Sequence, residues 1–172
     1  MDSRFPKLIF AFLALYAAVY FFAAYPKLPD VVASHFDAHG MPNGWQSKQA
    51  FFGVMVIVSL ATVVLGFAIP KMIAVLPQQL INPPNKDYWL APERRAETLA
   101  FLGASFARFA CALLFFNILV FGYAVQINLR PDHPPSVARL VYTLIGFLAF
   151  VIFWLVRIFT KFRRPPEVNA SS

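Results

Sequence analysis

Acidic residues are scarce in this chain: eight Asp and Glu stand against fifteen Lys and Arg, and charged side chains make up only 13% of 172 residues. Soluble domains carry nearer a quarter charged residues, so the composition excludes an ordinary water-exposed surface. Cysteine occurs once, as Cys111 inside an apolar run, which excludes an intramolecular disulfide and the thiol ladders of zinc and iron–sulfur sites. Histidine occurs three times, with no HExxH-type run. Gly40-Met41-Pro42-Asn43-Gly44 has neither the spacing nor the lysine of a phosphate loop. Ser34 beside His35 is no triad, because nucleophile and base meet in space rather than in sequence. The net charge of +7 is not a nucleic-acid footprint, since no Lys/Arg cluster is interleaved with aromatics on a polar surface.

What is present is apolar: 59% of residues are hydrophobic, and they come as long runs. The runs predict four spanning helices over about residues 8–25, 50–69, 109–129 and 137–156. Lipid offers no partner for backbone amides and four segments cannot close a barrel, so the expected fold class is all-α, an integral membrane four-helix bundle. The first run is longer than a signal-peptide core and lacks a small-residue cleavage site, which predicts a retained anchor. Ser47 is the expected N-cap of the second run, and Pro70-Lys71 its close. No carboxylate lies within the four spans to pair with Arg108. Placing the third bilayer segment at 109–129 puts Arg108 at the boundary, with its helix starting at Pro92 and projecting from the membrane.

Orientation follows from Lys and Arg. With both termini inside, Arg4, Lys7, Lys71, Lys86, Arg94, Arg95, Arg108, Arg157, Lys161, Arg163 and Arg164 lie inside, and only Lys27, Lys48, Arg130 and Arg139 outside. The positive-inside rule therefore predicts cytoplasmic termini, outward loops 26–49 and 130–136, and a cytoplasmic loop 70–91. Small residues at Ala96, Ala100 and Ala104, and at Gly103, Ala107 and Cys111, offer two stripes for close helix packing. In the inward segment, Tyr88, Trp89, Glu93, Arg94 and Arg95 suit helix capping and interface anchoring, or a polar face that docks a cytoplasmic protein.

The outward loop 26–49 is the chemically richest segment. Pro26 and Pro29 end the first helix, and Asn43-Gly44 is a turn signal. Trp45 and Tyr25 suit the interfacial aromatic belt. His35, Asp37 and His39 alternate, so a strand would align all three and a helix would align the two histidines. With His133 from the second outward loop, His35 and His39 are candidate ligands for zinc or copper, and Asp37 a ligand or base. The competing reading is that these are solvated loop histidines.

Leu28-Pro29-Asp30, His35-Phe36, Gly40, Pro42-Asn43, Trp45 and Ser47-Lys48 together resemble the signature of the family called domain of unknown function 1648. The resemblance covers about residues 8–70, departing at Ala33, where the family often has proline, and at Asn43, where Asp is frequent; His39 is outside the pattern. It implies a loop flanked by transmembrane helices in the bacterial cytoplasmic membrane, a domain shared with immunity proteins against the SDP peptide toxin.

No catalytic set is readable, so the leading expectation is a non-enzymatic protein of immunity, signalling or envelope-binding type. Its contacts would be made through His35, Phe36, Asp37, Trp45 and Lys48, toward an extracellular peptide or a membrane protein. The alternatives are an accessory subunit of a larger membrane complex or homo-oligomer, and a membrane-embedded metalloprotein using the outward histidines.

Overall fold

The computed structural model describes residues 4–163; Arg164 and the polar, proline-containing tail lie outside the described residues. Helix α1 (Arg4–Ala24) runs into one 3₁₀ turn (Tyr25–Lys27), then strands β1 (Val31–Phe36) and β2 (Pro42–Ser47) form an antiparallel hairpin. Helix α2 (Lys48–Val63) continues through a π-helical turn (Val64–Ala68) into α3 (Ile69–Val75). A short α4 (Lys86–Trp89) precedes α5 (Pro92–Leu129) and α6 (Val137–Arg163).

Among the described residues, four helical segments are long and apolar enough to cross a membrane: Arg4–Lys27, Lys48–Val75, Pro92–Leu129 and Val137–Arg163. The protein is thus a mostly helical, multi-pass membrane protein. The hairpin is an addition to the all-α expectation. At about 1.5 Å per residue α5 is about 57 Å long, far more than a bilayer core requires.

Central α5 organises the molecule: α1, α2, α3 and α6 all pack on it, while the first two spans also meet through ring contacts such as Phe10–Phe67 and Phe21–Phe52. The arrangement is a hub with three neighbours rather than a closed four-helix bundle. Between α1 and α2 lies an apolar cleft of about 460 Å³, floored by Leu114 of α5. The α5–α6 seam is aromatic, with Phe116 stacked on Phe147 at 4.3 Å and Phe109 beside Trp154 at 4.7 Å. Trp154 also donates its indole N–H to the Ser105 carbonyl at 3.0 Å. The buried pair Asn117–Thr62 adds a 3.4 Å hydrogen bond between α5 and α2, the kind of polar contact that joins helices in lipid.

Small residues do allow close approach, but on a different stripe from the two expected. Ala104, Ala107 and Ala110 are buried, and Gly66 lies directly against Ala110. Ala96 and Ala100 are exposed, and Gly103 faces open space. The second span also overruns its expected close. Pro70 has no N–H and would leave a carbonyl of the preceding turn unpaired. The π-helical turn Val64–Ala68 immediately before it shifts the bonding pattern, and the helix continues to Val75.

Arg108 sits near the first turn of α1. The Cys111 thiol, one turn along α5, donates to the Pro6 carbonyl at 3.2 Å, which levels this part of α5 with the start of α1. Arg108 Nε donates to the Ala104 carbonyl at 3.1 Å, while its Nη2 is buried without a partner among the described residues.

Candidate functional site: the docked hairpin

The family-type residues prove to be mostly the means by which the hairpin is built. At its base, Lys48 closes the entry against the exit. Its amide donates to the Asp30 carbonyl at 2.9 Å, and its ammonium reaches the Asp30 carboxylate at 2.9 Å and the Leu28 carbonyl at 3.5 Å. The same ammonium lies 5.5 Å from the centre of the Tyr25 ring. Leu28 is buried in the helix core, and Ser47 Oγ accepts from the Ala50 amide at 3.2 Å, the N-cap expected of it.

At its tip, the turn is made by Asp37 and Gly40 rather than by Asn43-Gly44. Asp37 Oδ1 accepts from the His39 and Met41 amides at 2.8 and 2.9 Å. The Gly40 amide donates to the Asp37 carbonyl at 2.9 Å. Gly40 has φ +77°, a conformation that costs other residues roughly 1–2 kcal/mol. A Cβ there would also run into Val137 of α6 and come within 3.1 Å of the Tyr123 hydroxyl.

Asn43 and Gly44 are instead strand residues of β2. Gly44 is opposite His35, and the imidazole lies across it: a Cβ on Gly44 would meet His35 Cδ2 at 2.9 Å. His35, a residue of the motif, and Gly44, which lies outside it, therefore form a cross-strand packing unit.

The hairpin is fixed to the bundle by residues that the sequence did not reveal. Asn128 of α5 accepts from the Ala33 N–H and donates to the Ala33 carbonyl, both at 2.8 Å, so one carboxamide covers the free edge of β1. Val32 and Ala33 are buried, and Phe36 packs edge-on to Tyr123 with ring centres 6.0 Å apart. Tyr123 in turn donates to the Pro135 carbonyl at 3.4 Å, tying loop 130–136 to the same end. A lone Asn near the end of an apolar helix was the only signal for Asn128.

The outer surface is different. Val31, Met41 and Trp45 are 61%, 63% and 62% exposed, and His35, Asp37 and His39 are exposed beside them. The structure does not bring His35, His39 and His133 together as a metal centre. Among the described residues, no three His, Cys, Asp or Glu side chains form a metal-holding group. His35 packs across Gly44, Asp37 Oδ1 accepts two backbone amides, and His133 belongs to a separate turn in which its amide donates to the Arg130 carbonyl at 3.1 Å.

At the opposite end, the expected docking residues largely face inward. Trp89 is buried; its indole N–H donates to the Phe162 carbonyl at 3.1 Å, and Lys161 lies 4.6 Å over its ring. Asn85, in the left-handed conformation, donates to the Phe162 and Arg163 carbonyls at 2.9 and 3.0 Å. Arg95 donates to the carbonyls of Ala74 and Leu76 at the end of α3, at 3.1 and 3.2 Å. Arg94 lies 4.0 Å over the Tyr88 ring and bonds the Tyr88 carbonyl at 2.9 Å. These side chains satisfy the unpaired carbonyls of helix ends. Glu93 alone among the five is exposed.

Residues 12–60, from mid-α1 through the hairpin into α2, match the family model described as Domain of unknown function (DUF1648). No curated protein and no solved structure matches the chain.

Proposed function

We propose, from the chain's membership of the DUF1648 family through residues 12–60, that it is a non-enzymatic recognition protein of the bacterial cytoplasmic membrane, of immunity, signalling or envelope-binding type. Its termini lie in the cytoplasm and the hairpin outside, because Lys27, Lys48, Arg130 and Arg139 are the only Lys and Arg at the hairpin end among the described residues. The observation that carries the reading is the division of labour in the hairpin. Asp30, Asp37, Lys48 and the Ala33 backbone are spent on its fold and docking, while Val31, Met41 and Trp45 are held out to the surface. Exposed apolar side chains on a fixed frame are what a contact surface for a peptide or another membrane protein needs.

A photo-crosslinking residue in place of Trp45, introduced in intact cells, tests this. A discrete protein or peptide adduct at position 45, missing at the exposed α2 position Ile57, is the expected result. Adducts to lipid alone at both positions would overturn the reading and make Trp45 an interfacial anchor.

A further inference from the structure

Two of the four basic residues at the hairpin end converge on a groove that the hairpin does not use. Arg130 and Arg139 line a cavity of about 470 Å³ with Tyr20, Gln126 and His133. Neither arginine has an ion-pair partner within 4 Å among the described residues, and the nearby Asp132 pairs with neither. Arg139 is held across the α5–α6 seam by a 3.0 Å hydrogen bond from Nη1 to Gln126 Oε1. Tyr20 stands over Gly122.

The cavity does not stop at the polar level. Tyr20, Gln126 and Arg139 also line a second hollow of about 130 Å³, which extends along α1, α5 and α6 past Tyr16, Ile118, Leu119 and Leu140. A cationic mouth thus adjoins a smaller hollow with an apolar side at Ile118, Leu119 and Leu140. Arginine matches phosphate and carboxylate oxygens with paired N–H donors, and a lone guanidinium at a membrane surface gains most from an anionic headgroup.

We infer that this groove binds an anionic amphiphile of the leaflet facing the hairpin, with a phosphate-bearing head at Arg130 and Arg139 and an acyl chain beside Leu119 and Leu140. Free inorganic phosphate shares the head chemistry but not the chain. The site is independent of the hairpin surface proposed above.

The test uses the full chain, purified in mild detergent and placed in phosphatidylcholine nanodiscs containing a small fraction of phosphatidylglycerol. Lipid that remains on the protein after release is read by native mass spectrometry. The expected result is enrichment of phosphatidylglycerol over phosphatidylcholine. It should fall about fivefold in Arg139→Gln and in Arg130→Gln and stay unchanged in Lys27→Gln, a basic residue at the same end outside the groove. Equal retention of the two lipids would overturn the inference, as would an unchanged enrichment in both arginine variants. Displacement of phosphatidylglycerol by millimolar inorganic phosphate alone would overturn it too, since the apolar side of the hollow would then contribute nothing. Thermal unfolding of each variant confirms that it is folded before retention is compared.

Discussion

Asn128 and Ala33, 95 residues apart, are joined by two hydrogen bonds of 2.8 Å, one to the amide and one to the carbonyl of the same residue. A side chain on α5 thereby stands in for one residue of a third strand. The two bonds tie the hairpin to the end of α5.

Asn128→Leu should leave both backbone groups of a buried residue without partners. Each unsatisfied group costs about 1–3 kcal/mol, so the hairpin should detach locally before the helices unfold. Hydrogen exchange checks this: the Ala33 amide should exchange much faster in the variant, while amides in the middle of α5 keep their protection. Ala33→Pro should act in the same direction, since it removes the N–H that Asn128 Oδ1 accepts.

Gly40→Ala should loosen the hairpin tip for two separate reasons. The positive φ disfavours alanine, and its methyl would press on Val137 of α6. A cost of about 1–3 kcal/mol is expected, read as new protease sensitivity in the Asp37–Met41 turn. Asp37→Asn keeps an acceptor oxygen for the His39 and Met41 amides and should be tolerated, whereas Asp37→Ala should resemble Gly40→Ala. Were Asp37 chiefly a contact residue for a partner, the two Asp37 variants would be equal in protease sensitivity to the parent.

Gly66 of the second span lies directly against Ala110 of α5. Gly66→Ala should push these helices apart and lower thermal stability in mild detergent, by about 1–3 kcal/mol. Adding Ala110→Gly frees the same space and should recover part of the loss. A double-mutant cycle showing additivity instead of recovery would mean that the contact is not the source of the cost.

The helices were readable because their signals are local. Pro92 marks the first turn of α5, Ser47 caps α2, and long apolar runs can cross a membrane only as helices here. The continuation of α2 past Pro70 was not readable, because a π-helical turn leaves no residue signature beyond the proline it accommodates. In the hairpin, Asn43-Gly44 gave a misleading turn signal: Gly44 is small because His35 lies on it. The turn-forming role of Asp37 was not readable either, because a carboxylate flanked by histidines has the same spelling whether it faces an ion or accepts two backbone amides. Asn128 could not be paired with Ala33 from the sequence at all, since nothing local records a contact between the hairpin and the end of α5.

Arg95 decides between a structural and a docking role for the inward-loop cluster. Its guanidinium takes up two carbonyls at the end of α3, and the neighbouring Trp89 takes up that of Phe162 near the end of α6. Bonds of this kind, with a charged donor at a helix C-terminus, contribute about 1.5–3 kcal/mol for the arginine and about 0.5–1.5 kcal/mol for the indole. Arg95→Ala should therefore lower the thermal stability of the isolated protein, and Trp89→Phe should do so more mildly by deleting the N–H while keeping the ring under Lys161. Amide exchange in the last turns of α3 and α6 should rise respectively. Glu93, exposed and without such bonds among the described residues, provides the contrast: Glu93→Ala should leave both readouts unchanged. Stability untouched by Arg95→Ala would return this residue to the surface as a docking contact.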